Sequence, residues 1–526
     1  MTQGKGPYFI NLKVTFVMSK VASFISLGII SLDRNTGTPL HRQIYERLYE
    51  AIISGQLKPG TRLPSVRALA QELGISRNTA AKAYAQLLAE GYLESKVGSG
   101  TCVTSILPDD LLYSHPRPNG RAPSATQPEQ FETRPCLSDR GQAIAQIPFL
   151  EHSPTQAFSP GLPAVDAFPF KLWEKLLVKC WRELPFNRLG YPNAKGHRSL
   201  REAVTGYLRA ARGVRCTPEQ IIITNGAQQA ISLAVNVLLN PGDDAWVENP
   251  SYNGIKAALS NAQANIVPVP VDGEGFVVDE ALARTSQARL AYISPSHQYP
   301  LGVTMSLARR LQLLQWAQES DGWILEDDYD SEYRYSGYPL AALQGLDKAG
   351  RVIYMGTFSK VLFPALRLGY MVVPPALIEP FRAARAHADR GASLLEQAVV
   401  ARFITEGHFA RHIRRMRTLY LQRQRTLVEA ARVHLRGLLQ VEPHDAGLHL
   451  IGWLPQGADD AQVSRRLAGH GIDMPPLSSY AIRPLARAGL VMGYTSMPEH
   501  KIIIGVKQMS PILAECLAGQ QMQLSA

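Results

Sequence analysis

Cysteine is scarce in this chain, and its few cysteines do not cluster. The 526 residues include five cysteines, at positions 102, 136, 180, 216 and 516, and none belongs to a Cys-x-x-Cys pair. An odd number of widely spaced thiols argues against a disulfide framework and a cysteine-based zinc site. A metal centre also lacks ligands, because His297 is the only histidine near the main carboxylate run. We therefore expect reduced thiols, no metal, and a cytoplasmic protein.

Long apolar runs are also missing. Residues 14–30 are mostly apolar, but Lys20, several serines and Gly28 interrupt them. A membrane-spanning helix needs about 20 continuous apolar residues, and no small-residue cleavage site of a signal peptide follows. The sequence therefore predicts no membrane segment. Met18 is a candidate for the true start, which would make residues 1–17 an artefact of gene prediction.

Acidic residues are in the minority. Lysine and arginine number 55 against 44 aspartates and glutamates, giving a formal net charge of +11 and a pI of about 9.4. Such a balance favours an anionic partner such as nucleic acid, although a soluble basic enzyme has the same composition. Charge alone leaves both classes of protein open.

Length and composition predict three regions. The chain is too long for one ordinary domain. Helix and turn signals fill residues 31–104, and apolar strands alternate with amphipathic helices over residues 156–520. The intervening residues 105–155 belong to a stretch with ten prolines between positions 107 and 163. A stretch of this composition buries little apolar surface, so we expect a semi-rigid linker.

The first region has the pattern of a helix-turn-helix. Residues 39–55 repeat apolar side chains at four-residue spacing, which predicts a helix. A second helix follows the candidate cap Ser65 and ends at Gly74, and a third opens at residues 75–79. In this motif the first residues of the last helix meet base edges and phosphates. The side chains there suit such contacts: Ser76, Arg77, Asn78 and Thr79.

A hairpin with a glycine-rich tip is predicted next. Residues 92–96 and 101–103 flank Gly98, Ser99 and Gly100. With the three helices, this string resembles the winged helix of the GntR regulator family. The resemblance implies binding of double-stranded operator DNA. It places Arg67, Arg77 and Thr79 on the backbone or nearby bases, and the glycine tip on the minor-groove side.

The third region reads as an α/β domain. Six short apolar runs predict buried strands, at residues 221–224, 245–247, 290–293, 323–325, 352–354 and 369–373. Helical patterns separate most of them, which argues for a mostly parallel sheet covered on both faces. The predicted fold class is thus multi-domain: an α+β winged helix-turn-helix, a proline-rich linker and an α/β domain.

Polar residues follow several of these strands. Asp327 and Tyr329 are two residues apart, so on an extended chain they face the same side. Lys360 follows another strand. Pyridoxal 5'-phosphate needs an amine, an anion at its ring nitrogen and a donor to its phenolate oxygen. These three side chains supply those groups, although each alone is commonly a surface or packing residue.

A phosphate cup and a stacking ring can also be assigned. A helix N-terminus after a glycine binds phosphate readily, and an arginine can pair with phosphate oxygens through two hydrogen bonds. The residues proposed for the cup are Thr357, Ser359, Arg367, Gly226, Ala227 and Gln228. Tyr252 is the candidate ring for stacking on the pyridine.

Jointly these pieces resemble the fold-type I aminotransferases, and with the winged helix they resemble the MocR subfamily of GntR regulators. The resemblance implies that Lys360 is the Schiff-base lysine, Asp327 the pyridinium partner and Tyr329 the ligand of the phenolate oxygen. It also implies a homodimer in which Tyr191 reaches the partner subunit's site. Two elements depart from the aminotransferase pattern. Residues 297–302 lack the usual asparagine, for which Gln298 is a weak substitute, and valine stands where the carboxylate-binding arginine is expected. Arg483 and Arg487 are the remaining candidates for that arginine.

Three functions follow from these expectations. The first is a transcriptional regulator that senses pyridoxal phosphate, an amino acid or an amine through an imine at Lys360. The second is an active aminotransferase that a DNA-binding module tethers, and the third is a DNA-binding dimer without cofactor. A further basic run, residues 411–417 with Arg423 and Arg425, reads more simply as a solvated helix than as a second DNA-contacting face.

Overall fold

The computed structural model describes residues 30–34, 36–96, 100–105, 137–147, 156–183, 190–337 and 340–525. The expectations for residues 1–29, Gly98, Ser99, Cys136 and most of the proline-rich stretch lie outside these ranges. The chain divides into two compact units, Met1–Thr133 and Arg134–Ala526. Each unit has its own apolar core.

The first unit is a three-helix bundle followed by a hairpin, as predicted. Its elements are α1 (Leu40–Ile53), α2 (Val66–Glu72), α3 (Arg77–Ala89), β1 (Leu93–Lys96) and β2 (Gly100–Val103). The apolar stripe of α1 buries Ile44, Leu48 and Ile52 against α3. The side chains of Ser65 and Ser76 accept hydrogen bonds from Ala68 N and Thr79 N, which caps α2 and α3.

The second unit is an α/β domain with a smaller α+β layer at its C-terminal end. The helices are α4 (Asp139–Ala145), α5 (Phe170–Glu183), α6 (Arg198–Arg212), α7 (Ala227–Leu238), α8 (Asn253–Asn261), α9 (Val278–Arg284), α10 (Leu307–Glu319), α11 (Ile378–Asp389), α12 (Leu394–Thr405), α13 (His408–His434), α14 (Asp460–Ala468) and α15 (Glu499–Ser525). The strands are β3 (Ile221–Thr224), β4 (Asp244–Asn249), β5 (Asn265–Asp272), β6 (Gly275–Phe276), β7 (Leu290–Ile293), β8 (Trp323–Asp328), β9 (Val352–Thr357), β10 (Gly369–Val372), β11 (Gln440–Val441), β12 (His449–Trp453) and β13 (Gly489–Gly493).

Eight strands form the large sheet in the order β3-β10-β9-β8-β7-β4-β5-β6. The run from β9 to β5 is parallel, whereas β10 lies antiparallel to both of its neighbours and β6 pairs antiparallel with β5. Apolar clusters on the two faces bury these strands under helices. The carboxyl ends of β3, β4, β7, β8 and β9 therefore meet at one edge, where ligands bind in open α/β sheets.

Two elements differ from the sequence prediction. Strand β8 continues through Asp328, so the acidic run lies inside the strand instead of following it. The region predicted as linker contains helix α4, which Ser138 caps through Gly141 N. None of the residues of α4 is buried, so its sequence has no apolar stripe from which a helix could be predicted. The capping residue Ser138 was the only sequence feature that indicated a helix here.

The smaller layer is the antiparallel sheet β11-β12-β13 packed against α13, α14 and α15. Within the described residues, one helical stretch, Glu499–Gln520, is long and apolar enough to cross a membrane. Its residues Ile502, Val506, Met509 and Leu513 are fully buried in the core beside α13. The core helix of a globular protein passes the same length and composition test.

Candidate functional site

Three strand ends converge at the carboxyl edge of the large sheet. Gly369, the first residue of β10, pairs with both Thr224 and Thr357, the last residues of β3 and β9. In the next strand, Asp328 pairs with Gly356. This register brings the turns after β3 and β9 beside the entry to β10, so residues distant in sequence share one pocket.

Asp327 points into this pocket with one oxygen free. Its side chain is buried, and its Oδ2 accepts a hydrogen bond from Tyr292 OH at 2.5 Å. Its Oδ1 is buried and contacts no donor among the described residues. Burial raises the pKa of Asp327 to about 7, and the neighbouring Asp328 adds to that rise. A cationic donor at Oδ1 would therefore stabilise the carboxylate.

The other two acids of the run have structural roles that the sequence did not indicate. Asp328 Oδ2 accepts hydrogen bonds from Arg212 Nε at 2.8 Å and Tyr354 OH at 2.6 Å. Glu326 accepts the backbone N–H groups of Leu343 and Gln344 and so fixes the turn that they form. Strand alternation separates Asp327 from both neighbours.

Tyr329 is held by a histidine. Its hydroxyl lies 2.8 Å from His297 Nδ1, which is also 3.0 Å from the buried Asp330 Oδ2. Burial lowers the pKa of His297 to about 4, so the ring is neutral near pH 7. Sequence reasoning treated His297 only as a metal candidate. Its spacing from Tyr329 could not reveal the contact, because the two residues lie in different loops.

Lys360 lies in the turn after β9. Its Nζ donates a hydrogen bond to Gly161 O at 2.9 Å. A Cβ at Gly161 would lie 2.5 Å from that nitrogen, so a larger residue there would displace the amine from this position. Burial lowers the pKa of Lys360, and Asp330 and Asp327 oppose that shift. A partly desolvated amine of this kind is suited to nucleophilic attack on an aldehyde.

A cluster of donors lies at the other end of the pocket. Ser359 Oγ is buried and has no partner among the described residues, while Ser359 N donates to Thr357 Oγ1 at 3.1 Å. Gly226 precedes α7 with a φ of +86°, which favours glycine. Arg367 Nη2 bonds Asn225 O at 3.2 Å and lies close to Gly226. The first amides of α7, at Ala227 and Gln228, lie at a helix N-terminus, which favours negative charge.

Aromatic side chains form the remaining wall. The ring of Tyr299 lies 6.3 Å from that of Tyr252 and 5.6 Å from that of Tyr329, and its hydroxyl bonds Tyr480 OH at 3.1 Å. Tyr252 is 37% exposed, and its pKa is raised by burial and by nearby Asp327. Gln298 does not face the pocket, because its amide bonds Glu248, Pro250 O and Tyr299 O.

The weaker candidates lie apart from this wall. Tyr191 is 84% exposed under the guanidinium of Arg390. Arg487 stacks on Trp453 and donates to Gln440 Oε1 and Leu454 O, so its guanidinium does not line the pocket. Arg483 is exposed, and its backbone bonds the side chain of Asn249. Val491, at the position expected for an arginine, is buried with Ile451, Leu477 and Tyr480.

The pocket fits pyridoxal phosphate. The buried, unpartnered oxygens of Asp327 and Ser359 suit a protonated ring nitrogen and a phosphate oxygen. The amine of Lys360, the helix N-terminus and Arg367 supply the remaining groups that such a cofactor requires. No group of His, Cys, Asp or Glu in the described part of the chain has the arrangement of a metal site.

The first unit presents a separate polar surface at the start of α3. Arg77 and Asn78 are exposed, as is Arg67 on α2. Thr79 is half-buried and its hydroxyl lies 2.8 Å from Ser76 Oγ, so these two residues are engaged in the cap. Arg62 was not anticipated, yet its guanidinium lies against Gly100 at the tip of the hairpin. An isolated bridge between Arg62 and Cys102 explains this placement.

Comparison with known families supports both units. Residues 40–103 match the model of the bacterial regulatory proteins of the gntR family, and residues 182–492 match that of the aminotransferases of class I and II. The probable rhizopine catabolism regulatory protein MocR of Rhizobium meliloti is 42% identical, covering 91% of this chain and 95% of its own.

Two further proteins extend the comparison. The pyridoxine biosynthesis regulator PdxR of Corynebacterium glutamicum is 30% identical over 89% of this chain and 95% of its own. The crystal structure of the kynurenine aminotransferase of Pyrococcus horikoshii has a TM-score of 0.64 and 30% identity, covering 71% of this chain and 93% of that one. That structure holds the aminated form of the cofactor, pyridoxamine phosphate, with substrates and products.

Proposed function

Because the chain belongs to the MocR-type regulators of the GntR family, we propose that it controls transcription in response to a primary amine or amino acid that reacts at Lys360. The chain is a DNA-binding transcriptional regulator with an aminotransferase-like domain for pyridoxal phosphate. The observation that supports sensing is the free oxygen of Asp327 beside Lys360 and the phosphate-binding donors. The effector, its site and the residue roles below are part of the proposal.

Each residue of the pocket has a proposed role. Asp327 keeps the pyridine nitrogen protonated, and Tyr329, fixed by His297, donates to the phenolate oxygen. Ser359, Thr357, Arg367 and the start of α7 hold the phosphate, and Tyr252 stacks on the ring. The bound cofactor supplies an aldehyde carbon that exchanges between amines. An effector amine bound to the cofactor in place of Lys360 would leave the lysine amine free beside Gly161 O and Asp330.

The release of Lys360 offers a way to distinguish two protein states. A ligand changes an equilibrium only through a difference in its affinity for the two states. The freed amine lies near Asp330 and Asp327, and we propose that its release changes the hydrogen bonds around Tyr329 and His297. We propose that this difference changes the DNA-binding activity of a homodimer, in the bacterial cytoplasm. The proposed domain bounds are residues 31–104, 105–155 and 156–520.

The test is DNA binding by purified full-length protein with and without cofactor. The wild type and Lys360→Ala are titrated onto the DNA upstream of the gene, alone, with pyridoxal phosphate, and with a panel of amines and amino acids. We expect a change of affinity or footprint in the wild type when both the cofactor and one amine are present. Lys360→Ala should bind the same DNA without that response.

Two results would contradict the proposal. Equal responses of the wild type and Lys360→Ala would show that the lysine does not transmit the signal. Sustained conversion of the amine to a keto product, with unchanged DNA binding, would instead make the protein a tethered aminotransferase. Gel filtration and the visible absorbance of the bound cofactor control for folding of the variant.

A further inference from the structure

Helix α13 carries a one-sided set of arginines. Five lie within about a third of the helix circumference at 3.6 residues per turn, and all are exposed: Arg411, Arg414, Arg415, Arg425 and Arg432. The same arc contains Thr418, Gln422, the exposed Val433 and one acid, Glu429. The opposite face buries apolar residues such as Ile413, Met416 and Leu427. We call the arginine-bearing arc the basic face.

The basic face lacks the ion pairs that exposed arginines make on other helices of this chain. Arg42 pairs with Glu46, Arg198 with Glu202 and Arg382 with Glu379, each within one helix. In contrast, the side chains of Arg411, Arg414, Arg425 and Arg432 on α13 make no hydrogen bond or ion pair with the residues that the structure describes. An ordinary solvated helix alternates the two signs of charge, and this face does not.

The charge continues past the end of the helix. Arg436 is exposed two residues after the end of α13, and it lines a shallow depression with Arg432 and Arg487. Glu442 is the one acidic residue among the side chains that line this depression. Arg487 is held there by Trp453 and Gln440, so the guanidinium is already ordered. A phosphate group is a suitable ligand for such a cluster.

The length of the basic face matches duplex DNA. From Arg411 to Arg432 the helix rises by about 32 Å at 1.5 Å per residue. One turn of B-DNA is about 34 Å long and presents closely spaced phosphates on each strand. Flexible unpaired arginines along such a line can neutralise several phosphates without reading sequence.

From these observations we propose that the basic face of α13 is a second, sequence-independent contact of this protein with the backbone of double-stranded DNA. It adds to the contact made by the winged helix, and it does not depend on the proposed amine sensing. Neutralised phosphates release counterions, so each contact steepens the fall of log affinity with log salt by about 0.9. The face therefore adds affinity that high salt removes.

The test compares two full-length variants saturated with pyridoxal phosphate. In the first, Arg411, Arg414, Arg425 and Arg432 are changed to Gln. In the matched control, Arg198, Arg209, Arg284 and Arg382 are changed to Gln, so the net charge falls equally on other exposed helices. Binding to a fluorescent duplex of random sequence is measured by anisotropy over a series of potassium chloride concentrations.

We expect the first variant to lose about 2 to 4 from the magnitude of the salt slope, and the control to keep the wild-type slope to within about 0.9. Equal slopes for the two variants would overturn the proposal. So would unchanged DNA binding together with lost binding to vesicles of anionic phospholipid, or lost dimerisation in sedimentation. If the first variant fails to fold, the pair Arg414→Gln and Arg425→Gln tests the same slope with about half the effect.

Discussion

At the scale of single residues, the alternation of side-chain direction along strand β8 gives three adjacent acids three different environments. Glu326 holds a turn, Asp327 faces the pocket and Asp328 pairs with Arg212. The sequence identified Asp327 through its spacing from Tyr329. It could not identify Tyr292 or Arg212, because these partners lie 35 and 116 residues away and only the fold brings them into contact.

Replacing Asp327 with Asn should weaken cofactor binding without unfolding the protein. Asn keeps the size of the side chain and removes the charge that a protonated pyridine requires. A hydrogen bond to a charged group contributes about 1.5 to 3 kcal/mol, so we expect roughly ten- to a hundredfold weaker binding. Titration of cofactor-free protein, followed by visible absorbance, measures this change.

Asp328→Asn is the matched control on the same strand. It breaks a buried ion pair with Arg212, which costs about 3 kcal/mol in the free energy of unfolding. Urea denaturation should detect that loss, while the folded fraction should bind the cofactor almost as tightly as the wild type. If Asp328→Asn instead weakened binding as much as Asp327→Asn, the assignment of Asp327 would be wrong.

The buried carboxyl groups around the pocket should make the cofactor-free protein less stable at mildly alkaline pH. Burial raises the pKa of Asp330 and of Glu248 to about 8, against about 4 in an unfolded chain. From pH 6.5 to 8 the folded state therefore holds protons that the unfolded state has lost. The free energy of unfolding must then fall as pH rises.

The histidines act in the opposite direction at lower pH. Burial lowers the pKa of His297 and of His449 to about 4, below the value of about 6.5 in an unfolded chain. Between about pH 6.5 and 4 the unfolded state binds protons on these histidines that the folded state does not, so the free energy of unfolding falls as pH falls. Above pH 6.5 the histidines add no pH dependence, and the carboxyl groups alone determine the decline. Urea denaturation at several pH values should show a decline that Asp330→Asn makes less steep. A flat curve for the wild type would contradict this explanation.

At the scale of elements, the sequence predicted the types of most helices and strands and missed some of their ends. Strand β8 extends through its acids because the pairing with β9 continues to Asp328 and Gly356. A run of acids in a sequence usually indicates a solvated loop. Here the acids remain in a buried strand because their carboxylates accept hydrogen bonds from nearby donors. Helix α4 was missed because none of its side chains is buried, so apolar periodicity could not reveal it.

The recognition helix α3 leads to a prediction about DNA contacts. Ser76 and Thr79 are engaged with each other in the cap, which leaves Arg77 and Asn78 as the exposed polar side chains of the first turn. Arg77→Ala should weaken operator binding and reduce the magnitude of the salt slope by about 1. Anisotropy titrations over a salt series measure both.

The control for Arg77 lies in the same unit. Arg42 on α1 is exposed and pairs with Glu46, so Arg42→Ala removes the same charge away from α3. We expect its salt slope to match the wild type. An unchanged slope for Arg77→Ala would exclude Arg77 as a phosphate contact. Loss of discrimination between operator and random DNA would identify a base contact instead.

At the scale of the whole molecule, the sequence predicted two functional units and a composite cofactor site. The predicted pocket residues do gather at the sheet edge, because strand ends in parallel sheets share that edge by topology. The contacts that His297, Gly161 and Tyr299 make with the pocket residues could not be predicted from the sequence. These three residues lie in loops, and the path of a loop depends on the packing of the whole domain. Gln298, a candidate by position, is occupied by Glu248 and backbone carbonyls.

The exposure of Tyr191 suggests that a single chain does not complete the site. This aromatic side chain is 84% exposed, and we expect it to enter the pocket of a second subunit. Tyr191→Ala homodimers should then bind pyridoxal phosphate more weakly than the wild type. Lys360→Ala homodimers should form no covalent link to it, although they still supply an intact Tyr191.

Mixed dimers of these two variants distinguish contact within a subunit from contact between subunits. If Tyr191 acts across the dimer, the Tyr191→Ala subunit receives an intact tyrosine from its Lys360→Ala partner, and its own Lys360 remains. One site of each mixed dimer should then recover wild-type affinity, which borohydride fixation and mass analysis of the Lys360 peptide can quantify. A tyrosine that serves its own subunit predicts no recovery, because the subunit with the reactive lysine still lacks its ring. A mixture that binds as the average of its parents would therefore refute the shared site and show that Tyr191 acts within its own subunit.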